Sequence, residues 1–111
     1  MEIDKFKEYQ IYLLLSGKFI LITDVQPSNK MHASEKDRRC HFVYGKSYTS
    51  KSQLLSNTMI VNDKNTANSM VFDCDKIVGS DLAFIRNNEA RYIGTLTDEK
   101  IKQFSQIRSV L

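Results

Sequence analysis

The sequence predicts a mainly β domain: a small barrel of short antiparallel strands with one C-terminal helix. Three observations carry this expectation. Turn signals recur every eight to twelve residues or so, the spacing of an all-β domain. The apolar segments between them are strand-sized, the longest being Ile11 to Leu15. From Thr97 onward the apolar period changes from two to that of a helix. With 111 residues, 41% hydrophobic and 26% charged, a single domain over 1–111 with one modest core is expected.

The elements follow in order. Tyr9 to Leu15 is rich in β-favouring residues, Ser16-Gly17-Lys18 is a turn, and Phe19 to Val25 completes a hairpin. Period-two alternation places Phe19, Leu21 and Thr23 on one face and Ile20, Ile22 and Asp24 on the other. Gln26-Pro27-Ser28-Asn29 breaks the strand, and a polar loop runs to Arg39. Cys40 to Tyr44 is a short strand stopped at Gly45, and Lys46 to Gln53 has no pattern. Thr58 to Val61 and Ser69 to Asp73 are further strands. Leu82 to Arg86 and Arg91 to Ile93 read as strands about an Asn87-Asn88 turn, and Gly94 ends the sheet.

Thr97 is the expected N-cap of the helix, with Asp98 and Glu99 in its first turn, where the helix dipole favours acids. Leu96 and Ile101 have the spacing of a hydrophobic staple. Ile101, Phe104, Ile107 and Leu111 form one apolar stripe, which must pack on the sheet. The result is a strongly bent or closed sheet of five to seven strands, since closure removes exposed edges.

No apolar run approaches the ~20 residues that span a bilayer. Met1 to Glu8 mixes acids with lysines, unlike a signal peptide. The two cysteines, Cys40 and Cys74, have no metal-ligand spacing and suit a reducing compartment. A cytoplasmic protein with no membrane partner and no cofactor is expected. The net charge is +3, and the excess is local. Lys30 to Lys51 holds six basic residues against two acids, whereas from Asp63 onward the two signs balance, seven against seven. Such a segment attracts a polyanion, or it is a solvated loop.

Within that segment, Arg38 and Arg39 have the planar, permanently charged fork that grips two phosphate oxygens, though exposed loop cations look the same in a sequence. His32 and His41 are the only histidines. His41 is the better acid–base candidate, because it neighbours the arginines and alternates with Phe42, so one of the two faces outward. Phe42, Tyr44 and Tyr48 can stack unpaired bases or fill a core. Asp73 and Asp75 share a face, and a polar surface explains them better than a metal, for which no third ligand has fitting spacing.

Three stretches carry a family resemblance. Ser69-Met70-Val71-Phe72-Asp73-Cys74-Asp75-Lys76-Ile77 looks like a strand that reads "S-V-V-x-C-D-Q-I" in the MazF/PemK endoribonuclease toxins. Ile93-Gly94-Thr95-Leu96-Thr97-Asp98-Glu99-Lys100-Ile101 resembles that family's closing "I-G-x-L-S-D-E-E-I". Lys18 to Pro27 is similar to its first strand and keeps the spacing of Asp24 and Pro27. Arg38 and Arg39 follow at about the distance of the family's arginine–proline motif, and Thr49-Ser50-Lys51 resembles its "T-S-K". Cys40 replaces the proline, and Arg39 to Thr49 is shorter than the two strands found there in the family. In a second placement, Tyr9 to Leu15 and Phe19 to Val25 are those two strands.

The resemblance implies an SH3-like/PemK-like barrel that cuts single-stranded RNA without a metal, works as a homodimer and is held by a cognate antitoxin protein. It implies Arg39 or Arg38 for charge stabilisation and proton transfer, with Thr49 and Ser50 positioning the phosphate. Lys30, His41, Lys46, Tyr48 and Lys51 are then the expected RNA contacts. CcdB-like relatives share such a barrel but act by binding DNA gyrase, so the alternative is a non-catalytic barrel that binds a protein or RNA.

Overall fold

A computed structural model describes residues 6–26, 38–49, 57–63 and 69–110. Its six strands are β1 (Gln10–Leu13), β2 (Phe19–Val25), β3 (Arg39–Ser47), β4 (Thr58–Asn62), β5 (Ser69–Asp81) and β6 (Arg91–Thr95). They form one antiparallel sheet in the order β4-β5-β3-β2-β1-β6. Two helices complete the fold, α1 (Leu82–Asn87) and α2 (Asp98–Ser109). No helix among the described residues is long and apolar enough to cross a membrane.

The sheet curls into a half-barrel. Its two edge strands, β4 and β6, are farthest apart in hydrogen-bonding order, yet Val61 and Asn62 of β4 and Ile93 and Thr95 of β6 line one cavity. No ladder joins β4 to β6 among the described residues, so the sheet bends without closing. The bend is concentrated in β5. Val43 of β3 pairs with Ile77, but Gly45 pairs with Phe72, so four β5 residues stand against Tyr44 alone. At Gly45 the Phe72 ring occupies the space of a side chain: a Cβ there would lie 2.5 Å from Phe72 Cδ1.

Both faces of the sheet are buried. On the concave face Ile11, Leu21, Val43, Met70, Phe72 and Phe104 belong to one core beneath α2. On the convex face Tyr12, Ile20, Ile22 and Phe42 join Leu82 and Ile85 of α1. Ile20, Leu21 and Ile22 are each fully buried. Burial on both sides is why β2 reads as a near-continuous apolar run.

α2 starts as its sequence dictates. Thr97 Oγ1 accepts a hydrogen bond from Lys100 N at 3.3 Å, and Leu96 and Ile101 pack on the same core as Phe104. Arg108 Nη1 donates to Cys74 O at 2.9 Å, pinning the far end of the helix to the β5 bulge. Leu111 lies outside the described residues.

Three expectations need correction. Leu82–Asn87 is a helix, not a strand: Asp81 Oδ1 accepts from Phe84 N at 2.8 Å, and Leu82 and Ile85, three apart, are both fully buried. The Asn87-Asn88 turn is instead the end of that helix, and the positive φ falls on Glu89 (51°). Gly94 does not end the sheet but sits within β6, paired with Ile11. Two strands also outrun their expected ends. β3 continues through Gly45 to Ser47, and β5 runs to Asp81 rather than Asp73, because each is the other's ladder partner.

Candidate functional site

Among the described residues neither helix packs on the end of the concave face where the charged residues of β2 and β3 meet. A bulge in β2 brings them together. Ile22 pairs with Phe42, but His41 pairs with Asp24, so Thr23 and Asp24 together oppose one residue. Without the bulge, alternation leaves Asp24 on the face of Ile20 and Ile22, as a strict period of two predicts. The bulge turns it to the face of His41. His41 Nδ1 then lies 2.8 Å from Asp24 Oδ1. An ionised carboxylate only accepts, so Nδ1 carries the hydrogen and Nε2 is left for other work. Both side chains are about half exposed, at 47% and 58%.

The third member is Arg39, at the start of β3 and exposed. Its guanidinium makes no hydrogen bond or ion pair with any described residue, while its backbone N–H donates to Gln26 Oε1 at 2.9 Å. Across the ladder, His41 faces Gly79 and Arg39 faces Asp81. A Cβ built on Gly79 would stand 3.5 Å from His41 Nε2 and 3.6 Å from Arg39 Nη2. The imidazole and the guanidinium therefore converge over one point. An oriented imidazole beside a guanidinium that no described residue engages can transfer a proton and hold an oxyanion.

Arg38 does different work from the role expected of it. It is 3% exposed, and its Nε and Nη2 donate to Gln26 O at 3.2 and 2.8 Å, while its carbonyl receives Leu82 N. It ties the strand to α1 rather than presenting a cation to a ligand. Thr49 is exposed just past the far end of β3: Arg39 pairs with Asp81 of β5, whereas Ser47 pairs with Met70. Arg39 and Thr49 are thus not brought together. Lys46 (exposed) and Tyr48 (half-buried) also belong to that far end. Ser50, Lys30 and Lys51 lie outside the described residues, as does His32.

Neither Asp24 nor Gly79 stands out in the sequence as a site residue. The one hint for Asp24 was a polar residue at the end of an apolar strand. For Gly79 only the ladder reveals the partner. Cys40 stands between Arg39 and His41 in sequence but points into the convex core, fully buried. Burial, then the Asp24 carboxylate, pushes its thiol up to about 11, so it stays a neutral packing group.

The cavity at the open seam is a separate feature at the other end of the sheet. It holds about 480 Å³ and is lined by Ile11, Val61, Met70, Ile93, Leu96 and Lys100, among others. Lys100 Nζ is engaged there by Ile60 O at 2.8 Å and Gln103 Oε1 at 3.1 Å. Comparison with protein-family models, with curated proteins and with solved structures finds no match to this chain.

Proposed function

We propose that the chain is an endoribonuclease that cuts single-stranded RNA through the substrate's own 2′-hydroxyl. The observation that carries this reading is the Asp24–His41 pair set beside the guanidinium of Arg39 over Gly79. Asp24 holds the imidazole by Nδ1. His41 Nε2 takes the proton of the 2′-hydroxyl as that oxygen attacks phosphorus. Arg39 stabilises the charge that builds on the phosphoryl oxygens. The 5′-oxygen leaves with a proton from solvent, giving a 2′,3′-cyclic phosphate and a 5′-hydroxyl. No step needs a metal. In this reading the roles expected of Arg38 and Thr49 pass to His41 and Asp24.

The experiment is cleavage of a long unstructured RNA by the purified chain in excess chelator, with analysis of the new ends. The expected result is cutting that leaves cyclic phosphate and is lost in His41→Ala. Cutting that requires a divalent metal, or that survives His41→Ala, contradicts the mechanism. The wider reading is a cytoplasmic growth-inhibiting toxin that works as a homodimer and is restrained by an antitoxin. It is supported by the resemblance of Lys18–Pro27, Ser69–Ile77 and Ile93–Ile101 alone.

One observation favours the alternative, a non-catalytic barrel that binds a protein or RNA: Arg39 and Thr49 sit at opposite ends of β3. That reading predicts recovery of a protein target, or salt-sensitive RNA binding, with no RNA breakdown in arrested cells.

A further inference from the structure

We infer that the gap above Gly79 is an oxyanion seat, which takes the phosphate group of a phosphodiester between His41 Nε2 and Arg39 Nη2. The identity of the phosphodiester as RNA rests on the ribonuclease reading; the seat itself rests on the geometry of β3 and β5. β5 holds one glycine, Gly79, and a glycine inside a strand weakens it. Nothing in the backbone asks for glycine there, since Gly17 is the one glycine with positive φ among the described residues. Packing does not ask for it either. A Cβ would meet its nearest neighbours, His41 Cδ2 and Nε2, at 3.5 Å, an ordinary contact, whereas at Gly45 it would meet a ring at 2.5 Å.

What a side chain at 79 would take is the space that the two nitrogen groups share. An oxyanion centred just outward of that point accepts charge-assisted hydrogen bonds, about 2.7–2.9 Å long, from the Arg39 guanidinium and, once the imidazole holds a second proton, from His41 Nε2–H. The neighbouring carboxylates do not compete for the position. Asp24 is bonded to the opposite nitrogen of the imidazole, and Asp81 accepts the N–H of Phe84 at the start of α1. Glycine at the point of closest backbone approach to a ligand is the residue that leaves room for it.

The test uses inorganic phosphate as the probe, titrated into the full chain at constant ionic strength against chloride, while the ring signals of His41 are followed by NMR. The expected result is a saturable shift with phosphate and none with chloride. Gly79→Val should weaken phosphate at least tenfold with an unchanged melting temperature, and Gly79→Ala should weaken it less. Gly79→Ser replaces the valine variant if that one does not fold. Equal phosphate affinity in Gly79→Val, or a His41 response no larger than with chloride, overturns the seat. The two proposals fail separately. RNA cleavage lost in His41→Ala but untouched in Gly79→Val removes the seat and keeps the ribonuclease. Phosphate binding lost in Gly79→Val with no RNA cleavage by the wild type keeps the seat and removes the ribonuclease.

Discussion

Arg38 and Arg39 are adjacent, equally charged and opposite in fate. Alternation along β3 sends one guanidinium to the Gln26 carbonyl and leaves the other over Gly79. Arg38→Ala should therefore lower stability by about 1–3 kcal/mol, because it removes a buried side chain and strands the part-buried Gln26 carbonyl. Arg39→Ala should leave stability within about 0.5 kcal/mol and slow cleavage by about 10²–10³-fold. Urea denaturation and single-turnover cleavage of the two variants check this contrast. The alternation of His41 with Phe42 was legible in the sequence, and Phe42 is fully buried while His41 is exposed. The Asp24–His41 contact was not legible, because a bulge at Thr23 defeats a strict period of two and the partners are seventeen residues apart.

Among the elements, the two helices show what a local signal can and cannot reveal. α2 announced itself through Thr97, Leu96 and a stripe that its full length makes unambiguous. Thr97→Ala should cost about 1 kcal/mol through loss of the cap on Lys100 N. Phe104→Ala should cost about 3–5 kcal/mol, since this side chain is the buried anchor of α2 on the concave core. Chemical denaturation of both variants measures the two values. α1 is only six residues long, and Leu82-Ala83-Phe84-Ile85 satisfies a strand pattern as well as a helical one. Its deciding signal was Asp81 as a cap, which competes in the sequence with a strand ending there. The ends of β3 and β5 were also hidden, because each extends only as far as the other pairs with it.

For the whole molecule, the bend of the sheet follows from its two-sided core. α2 fills the concave face and α1 the convex one, and among the described residues neither helix packs over Arg39. Burial on both faces also sets an alkaline limit. Burial pushes the Cys40 and Cys74 thiols up to about 11 and, with the neighbouring Tyr92, the Tyr12 hydroxyl up to about 12. In the unfolded chain these groups ionise near 9.0 and 10.0. The folded state keeps the protons longer, so its stability is whole below pH 9 and falls as pH rises through 11 and 12. Unfolding free energies measured from pH 8 upward should show that decline, and it should shrink in Cys74→Ala relative to that variant's own value at pH 8. The strand order was beyond the sequence, since pairings such as β3 with β5 and β1 with β6 join distant segments.

The central claim is that Asp24 works through His41, in the arrangement the β2 bulge creates. A double-mutant cycle on RNA cleavage tests it most directly, using Asp24→Asn, His41→Ala and the two combined. Each single variant should slow cleavage, His41→Ala by about 10²–10⁴-fold, and the combined variant should be no slower than His41→Ala alone. Losses that multiply in the combined variant, or a full rate in Asp24→Asn, would contradict it.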